Sequence, residues 1–152
     1  MDQATKEEFE RMLKLAEQGD AKMQYNVGIC YAYGDGIEKD CKKAFEWFTK
    51  SAEQGIDRAQ FYMGMCYYRA VGVEQDYKKA IEWYRKAAEQ EHGEAISSLG
   101  VCYQLGHGVR KNYEKALEFY EKADKLGVEG AKKDIETVKT LIALQAIVKK
   151  KS

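Results

Sequence analysis

Proline is absent from the chain, and β-branched clusters are few, so little in the composition resists helix formation. The straight-chain residues that dominate instead lose little rotamer freedom in a helix. An excess of either charge is also missing: 25 basic residues balance 25 acidic ones. No overall field therefore draws in nucleic acid or an anionic membrane, and neither is expected as a partner. Long apolar runs are lacking too. The longest, "LIALQAIV" at 141–148, falls well short of the about 20 residues a bilayer span needs. The first residues, "MDQATKEEFERMLKLAEQG", are charged and helical in pattern, without the apolar stretch of a signal peptide. A soluble, cytoplasmic protein is expected. Histidine is scarce: His92 and His107 both fall in predicted turns with no partner at metal-ligand spacing, and read as solvated turn residues. No motif sets a nucleophile beside a base. The expectation is a non-enzyme with no metal and no cofactor. What is present, 152 residues with 45% hydrophobic and 33% charged, is enough for one all-α domain that folds alone.

A repeat organises the chain. "GDGIEKDCKKAFEWFTKSAEQG" from Gly34 returns as "AVGVEQDYKKAIEWYRKAAEQE" from Ala70 and "GHGVRKNYEKALEFYEKADKLG" from Gly106, an offset of 36 residues each time. Upstream, "VGICYAYG", "MGMCYYRA" and "LGVCYQLG" keep the same period, so each unit is two helices and two turns. A fixed period in the thirties marks a helical solenoid, in which stacking neighbours complete a core that one unit cannot bury alone. It also decides the role of the glycine pair Gly106 and Gly108 ahead of a helix. A phosphate loop occurs once per site, whereas this turn occurs three times among unrelated side chains. Gly36, Gly72 and Gly108 serve a backbone that needs positive φ, and Asp40, Asp76 and Asn112 sit where N-caps belong.

Positions identical in all three units are what stacking requires. In the first unit they are Gly28, Cys30, Tyr31, Gly36, Lys43, Ala44, Glu46 and Lys50. Gly28 and Ala44 should let the two helices approach, with Tyr31 filling the space beside them. Glu46 and Lys50 stand at i,i+4 in the favourable order, which supports an exposed helix face by a few tenths of a kcal/mol.

The pattern "AKMQYNVGICYAYGDGIEKDCKKAFEWFTKSAEQG", repeated as "RAQFYMGMCYYRAVGVEQDYKKAIEWYRKAAEQ", resembles the Sel1-like repeat family, relatives of the tetratricopeptide repeats. The resemblance spans about residues 15 to 131. It implies a right-handed superhelical solenoid of antiparallel helix pairs and a role as an adaptor that gathers other proteins. On this reading one solenoid domain, 1–152, comprises an N-terminal capping helix at 3–19, repeats at 20–55, 56–91 and 92–127, and a C-terminal capping helix at 128–152. Two departures affect turns: Ala70 replaces the first turn glycine, and Glu91 replaces the glycine seen at Gly55 and Gly127.

Cys30, Cys66 and Cys102 recur at one position per unit, separated by at least a helix spacing of about 8 to 10 Å. That exceeds the Cα separation of about 7 Å that a disulfide tolerates. They fall with Val27, Tyr31 and Gly34 on the inward side, as small buried hydrophobes. Cys41 takes the slot of Tyr77 and Tyr113 and also reads as core. Free thiols fit a reducing compartment. Some cysteine-rich relatives are linked to binding or slow hydrolysis of β-lactams. The resemblance keeps that as an alternative function, although the cysteine pair that bridges each hairpin in those relatives is missing.

The opposite side of the first helices is the candidate binding face. It carries Lys22, Tyr25, Ile29, Ala32 and Tyr33 in the first unit, then Arg58, Phe61, Met65, Tyr68 and Arg69, then Glu94, Ser97, Val101, Gln104 and Leu105. The resemblance places these helices on the concave wall of the superhelix. Rings, a methionine and three cations in the first two units suit a protein or peptide with an apolar anchor and acidic residues. At the end of the chain, Glu136 and Lys139 replace the unit's glycine and tyrosine, so the last helix reads as a cap. Ala131, Ile135, Val138 and Ile142 would close the last unit. Leu141, Leu144 and Val148 form a second stripe that predicts self-association, most simply as a two-fold homodimer, or docking of a partner helix.

Overall fold

In a computed structural model, which describes residues 3–151, the chain is all helix: α1 (Gln3–Glu17), α2 (Ala21–Tyr33), α3 (Cys41–Glu53), α4 (Asp57–Arg69), α5 (Tyr77–Glu89), α6 (Gly93–Leu105), α7 (Tyr113–Lys125) and α8 (Ala131–Lys151). No described residue is in a strand. The pairs α2/α3, α4/α5 and α6/α7 are the three repeated units of a helix-pair solenoid. Contacts divide the chain into two compact units, residues 1–87 and 88–152. The core of the first joins Phe9, Val27, Tyr31, Phe48 and Met63. In the second, one cluster gathers Ala116, Tyr120 and Val138, and another Ile96, Ala123 and Ala131.

Local chemistry sets where the helices start and stop. Asp40 Oδ1 accepts the N–H groups of Lys42 and Lys43, Asp76 Oδ1 that of Lys79, and Asn112 Oδ1 that of Lys115, as their positions predict. His92 departs from expectation. It is not a solvated turn residue: its side chain is 11% exposed, and Nδ1 accepts the Ala95 N–H as the N-cap of α6. At the other ends, Gly34 and Gly106 adopt left-handed conformations, and Ala70 takes the same one at φ 57 despite its Cβ. Glu91 does likewise at φ 59. Gly34 is therefore an exposed turn residue and no part of the inward face.

Packing between the helices of a pair centres on one glycine. A Cβ at Gly28 would stand 2.7 Å from the Phe48 ring, and one at Gly100 would stand 2.7 Å from Tyr120; Gly64 meets Tyr84 in the same way. The group over the glycine thus comes from the second helix. Tyr31, expected to fill that space, instead meets Phe9 of α1 edge-on at 5.6 Å.

The invariant lysine and tyrosine prove to be partners. Lys43 Nζ lies 5.4 Å from the Tyr31 ring centroid, Lys79 5.4 Å from Tyr67 and Lys115 5.3 Å from Tyr103, a cation–π contact tying the two helices of every pair. Lys50 behaves similarly. Its ammonium sits 4.3 Å from the Trp47 ring, as Lys86 does over Trp83 at 4.2 Å, and it forms no ion pair with Glu46. An exposed i,i+4 pair offers only about 0.3–0.5 kcal/mol, so a flat indole within reach readily takes the cation.

The four cysteines are free thiols; Cys30, Cys66 and Cys102 are buried, while Cys41, at the first turn of α3, is only half-buried. Burial, with a smaller contribution from Cys41, pushes the Cys66 thiol from 9.0 up to about 12. Burial likewise pushes Cys102 up to about 11, against a backbone hydrogen bond that lowers it. Above the ordinary thiol value the unfolded chain sheds these protons while the folded chain keeps them. The stabilisation is complete below pH 9 and is lost as pH rises toward 12. Urea unfolding across that window should show falling stability, with a shallower fall in Cys66→Ala. An equal slope in both proteins would remove Cys66 as the cause.

Candidate functional site

The face shared by α2 and α4 in the first unit is built on a run of aromatic rings. Phe48, fully buried on α3, stacks on Tyr62 at 4.9 Å and holds Tyr25 at 6.0 Å. Tyr62 reaches Tyr25 at 5.9 Å and Phe61 at 5.9 Å. Phe61 leans on Tyr84 at 5.9 Å, and Tyr84 and Tyr77 of α5 flank Tyr68 at 6.5 and 5.0 Å. The chain of contacts Tyr25, Tyr62, Phe61, Tyr84, Tyr68, Tyr77 thus links three of the expected anchors through rings of neighbouring helices. Because each ring is wedged by the next, the face is held in order by its own packing, and a ligand seated there would cost less side-chain entropy.

The expected residues divide by depth. Tyr25, Ile29, Phe61, Met65 and Tyr68 are half-buried, and Tyr25 and Ile29 pack against the core of the unit, so α2 is apolar on more than one side. Lys22, Arg58, Arg69 and Tyr33 stand in solvent, Tyr33 with 66% of its surface exposed. The Tyr33 hydroxyl meets the Tyr62 hydroxyl at 3.2 Å. Burial raises the pKa of Tyr62 above the ordinary phenol value, and the hydrogen bond it shares with Tyr33 adds to it. Tyr25 is also raised by burial, while the nearby Arg58 charge works the other way. Both phenols stay protonated as donors. Leu105 lies in the second unit with 48% of its surface exposed.

Three contributors escaped the sequence reading: Tyr62, Phe48 and Tyr84. Phe48 and Tyr84, with Tyr120, carry a ring at one position of every unit opposite the invariant glycine. Pairing those two columns of the repeat would have found them. Buried Gln24 and Gln60 were also missed. The Gln24 side-chain amide donates to the Ala16 carbonyl, and that of Gln60 to the Ala52 carbonyl, so each of the first two repeats satisfies an orphan carbonyl at the end of the preceding helix.

Nothing in this face resembles a catalytic constellation, and no group of His, Cys, Asp or Glu among the described residues could hold a metal ion. No described helix is long and apolar enough to cross a membrane.

The Sel1 repeat profile matches residues 21–56, 57–92 and 93–128. The chain belongs to the Sel1 repeat family. A search of curated proteins finds no match. Among solved structures, a Sel1 repeat protein from Oxalobacter formigenes is similar at 35% identity and TM-score 0.80, over 86% of this chain and 54% of that one. The protective antigen c5321 of uropathogenic Escherichia coli strains, which displays the same repeat fold, is similar at 36% identity and TM-score 0.79, over 82% of this chain and 27% of that one. Cysteine-rich protein B of Helicobacter pylori gives 25% identity and TM-score 0.66, over 83% and 93%. The chain thus spans about half the length of the first of these Sel1 repeat proteins and about a quarter of the second. The Sel1 fold is commonly a protein-interaction scaffold.

Proposed function

We propose that this Sel1 repeat chain is a non-catalytic adaptor that holds a peptide or protein segment on the α2/α4 face. The segment would seat an apolar side chain among Tyr25, Ile29, Phe61, Met65 and Tyr68 and present acidic residues to Lys22, Arg58 and Arg69. The observation that carries this reading is the wedged run of rings, rimmed by exposed cations and the Tyr33 hydroxyl. Aromatic and arginine side chains dominate binding energy at interfaces. Free thiols suit a reducing, cytoplasmic setting.

The test is affinity capture followed by mass spectrometry, then titration of the captured segment against surface variants. Tyr33→Ala combined with Arg69→Ala should weaken binding about 10-fold or more with circular dichroism unchanged. Raising salt should slow association more than dissociation. Unchanged affinity in the double variant would remove the face as the site. Nitrocefin turnover abolished by a single substitution would replace the adaptor with the β-lactam reading.

We also propose that α8 joins two copies of the chain through Leu141, Leu144 and Val148. Leu144 and Val148 are 54% and 67% exposed, and Leu141 is half-buried. Light scattering should show a dimer that Leu144→Glu with Val148→Glu converts to a monomer; a wild-type monomer would exclude it.

A further inference from the structure

We propose that the cleft between the start of α7 and the end of α8, within the second unit, is a docking site for an acidic polypeptide segment. The cleft has a volume of about 730 Å³. Arg110, Lys111, Lys115 and Lys149 line it, against the single carboxylate of Glu114. This imbalance is local, because the chain as a whole is neutral. A second cleft of the same unit, about 550 Å³, is balanced: Glu121, Asp124 and Glu136 face Lys125, Lys132 and Lys139. That cleft answers its own charges. The first is lined by four cations and one carboxylate, and the sequence over 137–151 adds lysines without one acidic residue.

Two of the cations are held in place. Lys111 Nζ lies 5.8 Å from the Tyr113 ring centroid and Lys115 Nζ 5.3 Å from that of Tyr103. A ring fixes an ammonium without consuming its N–H donors as a carboxylate would, so both lysines remain positioned to donate. The opposite wall is the continuation of α8. Val138 and Ile142 pack toward α7 in the core, and the next residues at helical spacing on that side, Gln145 and Lys149, line the cleft. Where the chain's own core ends, the same face lines the cleft with an amide and a cation.

A polypeptide matches this wall better than a nucleic acid. Gln145 and Asn112 can pair with backbone amides, while a nucleic acid needs a longer track of phosphate contacts than one cleft on a neutral chain supplies. The site is separate from the α2/α4 face, and its failure leaves that reading untouched.

The experiment uses the full chain and a fluorescein-labelled oligoglutamate peptide, followed by fluorescence anisotropy and by NMR shift mapping. Saturable binding is expected, with shifts at Arg110, Lys111, Lys115 and Lys149. Lys111→Glu with Lys149→Glu should weaken it about 10-fold or more, whereas Lys6→Glu with Lys14→Glu, both exposed on α1, should leave it unchanged. Lack of saturable binding, shifts centred elsewhere, or indifference to the Lys111/Lys149 reversal would each overturn the proposal. Equal or tighter binding of an oligodeoxythymidylate would also overturn it, by showing a general polyanion site.

Discussion

Gly72→Ala should destabilise the protein by about 3 kcal/mol, the sum of a left-handed backbone cost of about 1–2 kcal/mol and an overpacking cost of about 1–3 kcal/mol. Gly72 sits at φ 71, and a Cβ there would run into the Cys41 carbonyl at the first turn of α3. Backbone cannot swing aside as a side chain does. The α4–α5 turn therefore rests directly on the preceding repeat, just as Gly36 rests on Thr5 and Phe9 of α1, with Thr5 O 3.2 Å from its would-be Cβ. Gly55→Ala is the control: φ is 93, but no atom lies within 4 Å of an added Cβ. It should cost only the backbone share, about 1 kcal/mol. Urea unfolding of both variants separates the contributions, and equal losses would mean that the contact between repeats is worth nothing.

A change of sign is expected at Gly28. Alone, Gly28→Ala should destabilise, because its Cβ meets the Phe48 ring at 2.7 Å and overpacking of about 1–3 kcal/mol outweighs the gain of about 1 kcal/mol in helix propensity. Phe48 is 1% exposed, and Phe48→Ala should cost about 3–5 kcal/mol. Once that ring is gone, Gly28→Ala should stabilise by about 1 kcal/mol, since the clash has vanished, the propensity gain remains and the methyl fills part of the void. A double-mutant cycle reads the reversal directly, and additivity would contradict the packing described. The same ring is the floor of the α2/α4 face through Tyr25 and Tyr62. Phe48→Ala should consequently weaken binding of the segment proposed for that face, even where it does not touch Phe48.

The sequence was most informative where a residue's chemistry acts within a few positions of itself. The caps at Asp40, Asp76 and Asn112 are local matters, and their spacing located them; Ala70 and Glu91, read as departures that affect turns, keep the left-handed conformation of the glycines they replace. What required the structure was choice among neighbours. Lys50 had Glu46 and Trp47 within reach, and which one holds it depends on rotamers that spacing does not record. Tyr31 was expected in the space at Gly28, and the register between α2 and α3 gives it to Phe48 instead. The proposed binding face was legible as a list of exposed-side residues on the first helices. Its depth was not, because Tyr25, Phe61 and Tyr68 lean on rings from α3, α4 and α5 that a single-helix wheel does not contain. His92 shows the same limit: a histidine in a turn looked inert, yet it is the atom that starts a helix.

The amides of Gln24 and Gln60 bear on folding fidelity. Repeats this alike can stack in the wrong order or exchange between molecules, a characteristic failure of repeat arrays. Apolar faces alone would tolerate such errors. A buried amide does not: Gln24 is satisfied by Ala16 O and by contact with Gln54, whose own amide donates to it at 2.7 Å and to Gly19 O at 3.1 Å. Shifted by a turn, Gln24 would face the wrong carbonyls and leave polar atoms buried without partners, at about 1–3 kcal/mol each. The third repeat has Ile96 in that place, within an apolar cluster that imposes no such proofreading. Mis-stacked states of this chain should therefore be rejected in the first unit and tolerated longest around α6.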